Sequence, residues 1–224
     1  KNIFKPACNN LRHPFIVPGE GYMNELWGWD SYWVAHSLRY MFGRFGDSFM
    51  EKHGIERGDA LLHMKGSVLD FLDSQSADGF IPSMLAEDGI FKDFFAGELK
   101  KGHKHNQHAP FLCQSALGAA QFADDYSWLN EEKLITYLEY YKNNQYDVKS
   151  GLFFWQNDIM IGIDNNPTVF CRPPRSSADI FLNCFIYLEY VALAKILAAK
   201  GDGRSDNIMA QAERLKRAIN DEMW

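Results

Sequence analysis

Cysteine is scarce in this chain, and what there is has no metal-binding rhythm. Cys8, Cys113, Cys171 and Cys184 are the full set, and without a C-x-x-C pair a zinc site is not expected. Cys113 and Cys184 fall in apolar helical patterns as reduced core residues, and nothing in the sequence supports a Cys8–Cys171 disulfide. Long basic runs are missing too. The net charge is −6 over 224 residues, and the one basic cluster, "KKGHKH" (100–105), sits in a polar loop. Nucleic acid is therefore not the expected partner. No apolar run reaches the ~18 residues of a membrane span, and no signal peptide opens the chain, so no membrane partner is expected. The first residue is Lys, which suggests a trimmed start. Alternating β-branched runs are few, which leaves little for a sheet.

What the chain has in quantity is helix and aromatic surface. Apolar residues are 46% of the sequence and aromatics 15%. The periodicity predicts helices near 31–43, 57–75, 109–124, 131–143, 177–199 and 206–222. They alternate in kind. "SYWVAHSLRYMF" (Ser31 to Phe42), "APFLCQSALGAAQFA" (Ala109 to Ala123) and "IFLNCFIYLEYVALAKIL" (Ile180 to Leu197) are apolar on nearly every face and should be surrounded by protein. The helices between them carry one stripe each: Leu61, Leu62, Val68, Leu69 and Leu72 on one, and Ile208, Met209, Ala212, Leu215, Ala218 and Ile219 on the last. An inner ring of helices jacketed by an outer one gives this order. The fold class expected is all-α: three hairpins, the N-terminal half of a six-hairpin α/α toroid. Residues 1–224 would then be a single piece of a longer domain.

The long, motif-rich segments 14–30, 76–108 and 144–176 each lead into a buried helix, so all three should open on one face. Two of them start alike, "SADGFIP" (Ser76 to Pro82) and "VKSGLFFW" (Val148 to Trp155), a weak hint of a hairpin repeat. In "PGEGYMNELWGWDSYW" (Pro18 to Trp33), Trp27 and Trp29 precede the predicted helix and do not belong to its stripe. Asp30 suits a helix start, and capping is the plain account of it. Aromatic faces beside a carboxylate also suit a pyranose, whose C–H face stacks while its hydroxyls donate to the acid.

These same residues carry a resemblance. "PGEGYMNELWGWDSYW" resembles the first trehalase signature, with Glu25, Trp29, Asp30 and Tyr32 in register. It has an extra residue after Pro18-Gly19, and Tyr22 or Met23 stands where the family has Arg-Phe. "DGFIPSM" resembles the trehalase Gly-Phe-Ile-Pro-Asn-Gly element, with Ser83 for the Asn, and "NQHAPFL" resembles Ser-Gln-Pro-Pro, keeping Gln107. "IGIDNNP" (Ile161 to Pro167) is similar to a trehalase stretch and closer to Gly-x-Asp-Asn-x-Pro of glycoside hydrolase family 63, whose following helix start "SADIFLN" matches in Asn183. Four motifs lie in order along the chain, all in the rich loops. The resemblance implies an (α/α)6 barrel, an inverting mechanism and Asp164 as general acid, with no cofactor. Its general base is implied to lie beyond Trp224.

The chemistry agrees with that assignment. An inverting glycosidase needs a protonated carboxyl for the leaving oxygen and a carboxylate roughly 6.5–9.5 Å away to activate water. A raised pKa needs a dry setting, and Ile159, Ile161, Ile163, Phe153, Phe154 and Trp155 would supply one around Asp164. The plain alternative is that Asp164 closes the Asn-Asn-Pro turn. Substrate contacts are expected from Tyr22, Trp27, Trp29, Asp30, Gln107, Trp155, Arg172 and Arg175, the two arginines having an alternative as helix-start ion pairs. Asp179 reads as a helix cap. His103, His105 and His108 lack ordered ligand spacing, and no metal is expected. The function expected is an inverting exo-acting α-glycosidase of the family 63 type on an α-glucoside or α-mannoside. Trehalase is the nearest alternative, and a carbohydrate-binding half-barrel without turnover is the alternative of another class.

Overall fold

A computed structural model describes residues 2–22, 24–86, 105–163 and 165–224. Its described residues form seven α-helices: α1 (Gly28–Phe45), α2 (Asp47–Lys52), α3 (Arg57–Asp73), α4 (Leu112–Ala123), α5 (Glu131–Asn144), α6 (Ile180–Ala199) and α7 (Ser205–Met223). All six helices read from periodicity are present. The seventh, α2, is too short to show a period; the Arg57 fork on Asp47, with bonds of 2.7 to 3.1 Å, ties it to the start of α3. Helix α4 is the hub, touching α1, α3 and α6, while α5 and α7 lie on α6. Thus α1, α4 and α6 form an inner row jacketed by α3, α5 and α7. The fold is an all-α partial barrel, mostly helical with its helices packed in contact.

Helix starts differ from the periodic reading for identifiable reasons. The first helix begins three residues earlier, because Trp27 is already extended and Gly28 N–H donates to the Ser83 carbonyl at 3.0 Å. Helix α4 begins later, since Pro110 and Phe111 stay outside it. Its first-turn N–H groups, which have no partner within the helix, are then met by a side chain from another helix: Glu189 of α6 accepts from Cys113 N at 2.8 Å and Gln114 N at 2.9 Å. Helix α6 begins after Asp179, whose extended backbone and side chain cap it, Oδ1 accepting from Leu182 N at 2.8 Å.

Three short antiparallel pairs tie the loops together: β1 (Phe4–Lys5) with β2 (Phe15–Ile16), β3 (Glu25–Trp27) with β4 (Met84–Ala86), and β5 (Tyr146–Asp147) with β6 (Leu152–Phe153). At two or three residues each, they are too short to announce themselves by alternation. The β3–β4 pair sets Trp27 opposite Met84 and so locks the first rich loop to the second.

Burial corrects three readings. Helix α1 is not enclosed: Ser31, Ala35, Leu38 and Phe42 are buried, but Tyr40 is 66% and Phe45 51% exposed, because among the described residues its neighbours α2, α3 and α4 leave its other flank open. On α3 the stripe runs through Ala60, Met64, Val68 and Phe71, and Leu62 faces solvent. Helix α6 is long and apolar enough to cross a membrane by length and composition, with a mean hydropathy of 1.7, contrary to the expectation that no such segment exists. Here α4, α5 and α7 pack on it and Asn183 and Glu189 are fully buried, while Ile180 and Leu188 are exposed, so it is not surrounded on every face. No disulfide joins any of the four cysteines among the described residues; Cys113 is buried and Cys171 exposed.

Candidate functional site

One cavity of about 510 Å³ opens on the face where the three rich loops meet. Tyr22, Trp27, Trp29 and Asp30 line it from the first loop and first turn of α1, Ser83 and Ala109 from the second, and Met160 and Gly162 from the third. Its size is that of a small-ligand pocket.

Local folding explains each side chain. Trp27 ends β3, and its indole Nε1 donates to Oε2 of the buried Glu25 at 2.9 Å, which fixes the ring's plane. Tyr22 ends a short 3-10 turn (Glu20–Tyr22) and meets Trp27 edge-on at 6.3 Å. Trp29 and Asp30 lie in the first turn of α1, where the helix dipole favours a carboxylate. Trp29 has a second role. Its ring packs with Trp33 at 6.0 Å and with Phe111 and Phe181 at 5.4 Å each, joining α1 to α6 and to the residue that precedes α4. Gly162, at φ +86°, lies flat on the Trp29 ring, and a Cβ there would collide with it. No other residue type fits both the backbone and the contact.

The remaining expected contacts lie elsewhere. Gln107 is fully buried and its amide is occupied by backbone, accepting from Ile81 N and donating to the Gly79 and Tyr137 carbonyls. Trp155 is buried in the core and bridges Ser177 through its backbone. Arg172 lines a separate cavity of about 400 Å³ with Thr168, Ser176, Ser177 and Asp179. Arg175 stands 4.9 Å over the Phe154 ring. Asp164, Met23 and the basic cluster except His105 lie outside the described residues, as does His103. Of the apolar wall, Ile161, Phe153, Phe154 and Trp155 are buried, and Ile159 and Ile163 are half-buried.

The loops are joined by buried amides, of which Asn183 fell in a family motif while Asn106 and Gln145 were not singled out. Asn106 accepts from Gln156 N at 2.7 Å and donates to the Ile159 carbonyl at 2.8 Å and to Asn157. Gln145 accepts from Gln107 N and donates to the Phe154 carbonyl, and Asn183 exchanges hydrogen bonds with both backbone groups of Phe153. Asn and Gln carry donor and acceptor on one neutral group, so they can stitch irregular backbone without burying charge. A single sequence offers no periodicity that would reveal them.

Two titrating groups lie deeper. Burial pushes the Glu189 carboxyl up to about 7, against the opposing pull of the Cys113 and Gln114 N–H groups. Burial lowers the His108 imidazole to about 4. Its Nδ1 lies 2.6 Å from the Ala109 carbonyl, which makes Nδ1 the donor, and a Cβ on Gly28 would collide with its Nε2.

Fold and site together define a helical partial barrel with an aromatic, acid-bearing cavity on its loop face. A family model described as Trehalase matches residues 3–41, the segment that supplies Tyr22, Trp27, Trp29 and Asp30. That match supports a glycosidase of the trehalase-like kind. No curated protein matches the chain, and no solved structure does.

Proposed function

We propose that the chain is the sugar-gripping part of an inverting α-glycosidase and that the cavity holds one hexose ring. The observation that carries this reading is the convergence of Tyr22, Trp27, Trp29 and Asp30 on a cavity whose far wall is the Met160–Gly162 segment. The indoles offer apolar faces for the ring's C–H surface, Asp30 offers an acceptor for hydroxyls, and Ser83 offers a small polar wall. Asp164, which follows Gly162 and Ile163 in the chain, is the general acid in this reading. The general base is assigned to no described residue in this reading. The partner is a small carbohydrate rather than nucleic acid or a membrane.

The "GIDNNP" stretch favours an α-glucoside or α-mannoside of the family 63 type. The Trehalase match over residues 3–41 favours trehalose. In the complete protein, Asp164→Asn should lower kcat by about 10³-fold while KM stays within a few-fold, as expected when a proton donor is removed. Turnover of a panel of trehalose, maltose-type and mannoside substrates would measure it and choose among them. Near-normal kcat on the best substrate would remove Asp164 from the acid role. Tight sugar binding with no turnover of any substrate would leave a binding domain.

A further inference from the structure

We propose that Asn106 is the positioning residue of the cavity's outer wall: its buried amide fixes residues 156–159, and through them the height of Met160 and Gly162 over Trp29. The wall needs such a device. Between β6 and α6 the described chain has no helix or strand, and Met160, Gly162, Asn165, Cys171 and Arg175 all have positive φ. Conformations of that kind persist only where surrounding contacts over-determine them. Asn106 supplies those contacts at the point where the segment leaves the core. Its side chain is buried, its Oδ1 takes the Gln156 N–H, and its Nδ2 reaches the Asn157 carbonyl and side chain and the Ile159 carbonyl. Asn157 in turn accepts from Ile159 N at 2.9 Å, closing a tight turn directly before Met160.

The chemistry of the residue matches the task. The segment presents one N–H and two carbonyls to a single buried point, and only a primary amide answers both kinds without charge. An aspartate has no donor for the carbonyls, and a serine has only one. The neighbouring residue extends the logic. Gln107 turns its amide to Gly79 and Ile81 in the second rich loop, so the Asn106-Gln107 dipeptide ties the cavity's outer wall to the loop that carries Ser83. The wall and the floor are thereby held in one frame.

The inference deepens the sugar-cavity reading, but its main test does not depend on that reading. Hydrogen exchange would be followed by mass spectrometry in the wild-type protein, Asn106→Asp and Asn106→Ala, in peptides covering 156–163, α4 and α6. The alanine variant avoids burying a charge and serves if the aspartate does not fold. The expected result is exchange at least about tenfold faster in 156–163, with α4 and α6 unchanged, the signature of local opening. Affinity for the iminosugar 1-deoxynojirimycin, measured by calorimetry, should also fall by about fivefold or more, because a loosened wall must be ordered on binding. Unaltered exchange in 156–163 overturns the proposal. So does protection lost equally across α4 and α6, which would make Asn106 a residue of global stability. If the wild-type protein fails to bind the iminosugar, the sugar reading falls while the exchange result still decides the role of Asn106.

Discussion

Trp29 shows how one residue can serve packing and recognition together. Its ring holds Trp33, Phe111 and Phe181 together while one part of it remains on the cavity. Trp29→Ala should therefore weaken sugar binding by ~1 kcal/mol or more and also lower the melting temperature, whereas Trp29→Phe should restore most of the stability. Unchanged affinity by calorimetry would make Trp29 a packing residue alone. Glu189 gives a second prediction at this scale. Its folded pKa of about 7 lies above the ordinary glutamate value. Its contribution is therefore complete below the unfolded pKa and is lost as pH rises through about 7. The stability of the wild type relative to Glu189→Gln should fall by about 3 kcal/mol between mildly acidic and neutral pH, read from urea melts across that range. A flat difference would mean that Glu189 stays ionised. His108 acts in the opposite sense: held near 4, it withdraws stability as pH falls below the ordinary histidine range. Comparing variants, rather than reading the wild type alone, separates the two.

At the scale of elements, legibility followed length. Each predicted helix exists because twelve or more residues repeat one pattern, and the alternation of enclosed and one-sided helices placed α4 and α6 correctly inside. The strands were not legible, since two- or three-residue pairs such as β3–β4 arise from loop geometry that only the assembled fold provides. The cavity was half legible. Tyr22, Trp27, Trp29 and Asp30 stood out by type and by family resemblance. Met160, Ala109 and the amide of Asn106 did not, because their roles depend on backbone positions some 50 residues apart in sequence. Asp179 was readable as a cap, but its further bonds to Asn166 Nδ2 at 3.0 Å and Thr168 Oγ1 at 3.2 Å were not. They make it a joint between α6 and the third loop. Asp179→Ala should accordingly cost more than an ordinary cap, about 2 kcal/mol or above. Denaturant titration checks the total, and exchange in 165–170 checks the loop. A loss below ~1 kcal/mol would reduce Asp179 to a cap alone.

At the scale of the whole molecule, α1 decides how much an apolar sequence can say about its surroundings. "SYWVAHSLRYMF" reads as apolar all round, yet an inner helix in a partial ring has partners on one flank only. Leu38 and Phe42 meet the core, while Tyr40 and Phe45 face outward, the latter with its ring tilted against Phe49 of α2 at 4.8 Å. The two classes of position should respond in opposite ways. Phe42→Ala removes a ring buried against Phe122 and should destabilise by ~3 kcal/mol or more. Tyr40→Ser with Phe45→Ser touches no buried packing and should move stability by less than about 1 kcal/mol. Equal destabilisation by the inward and outward changes would mean that α1 is enclosed on both flanks, as the apolar sequence alone suggests, and the open flank would have to be withdrawn.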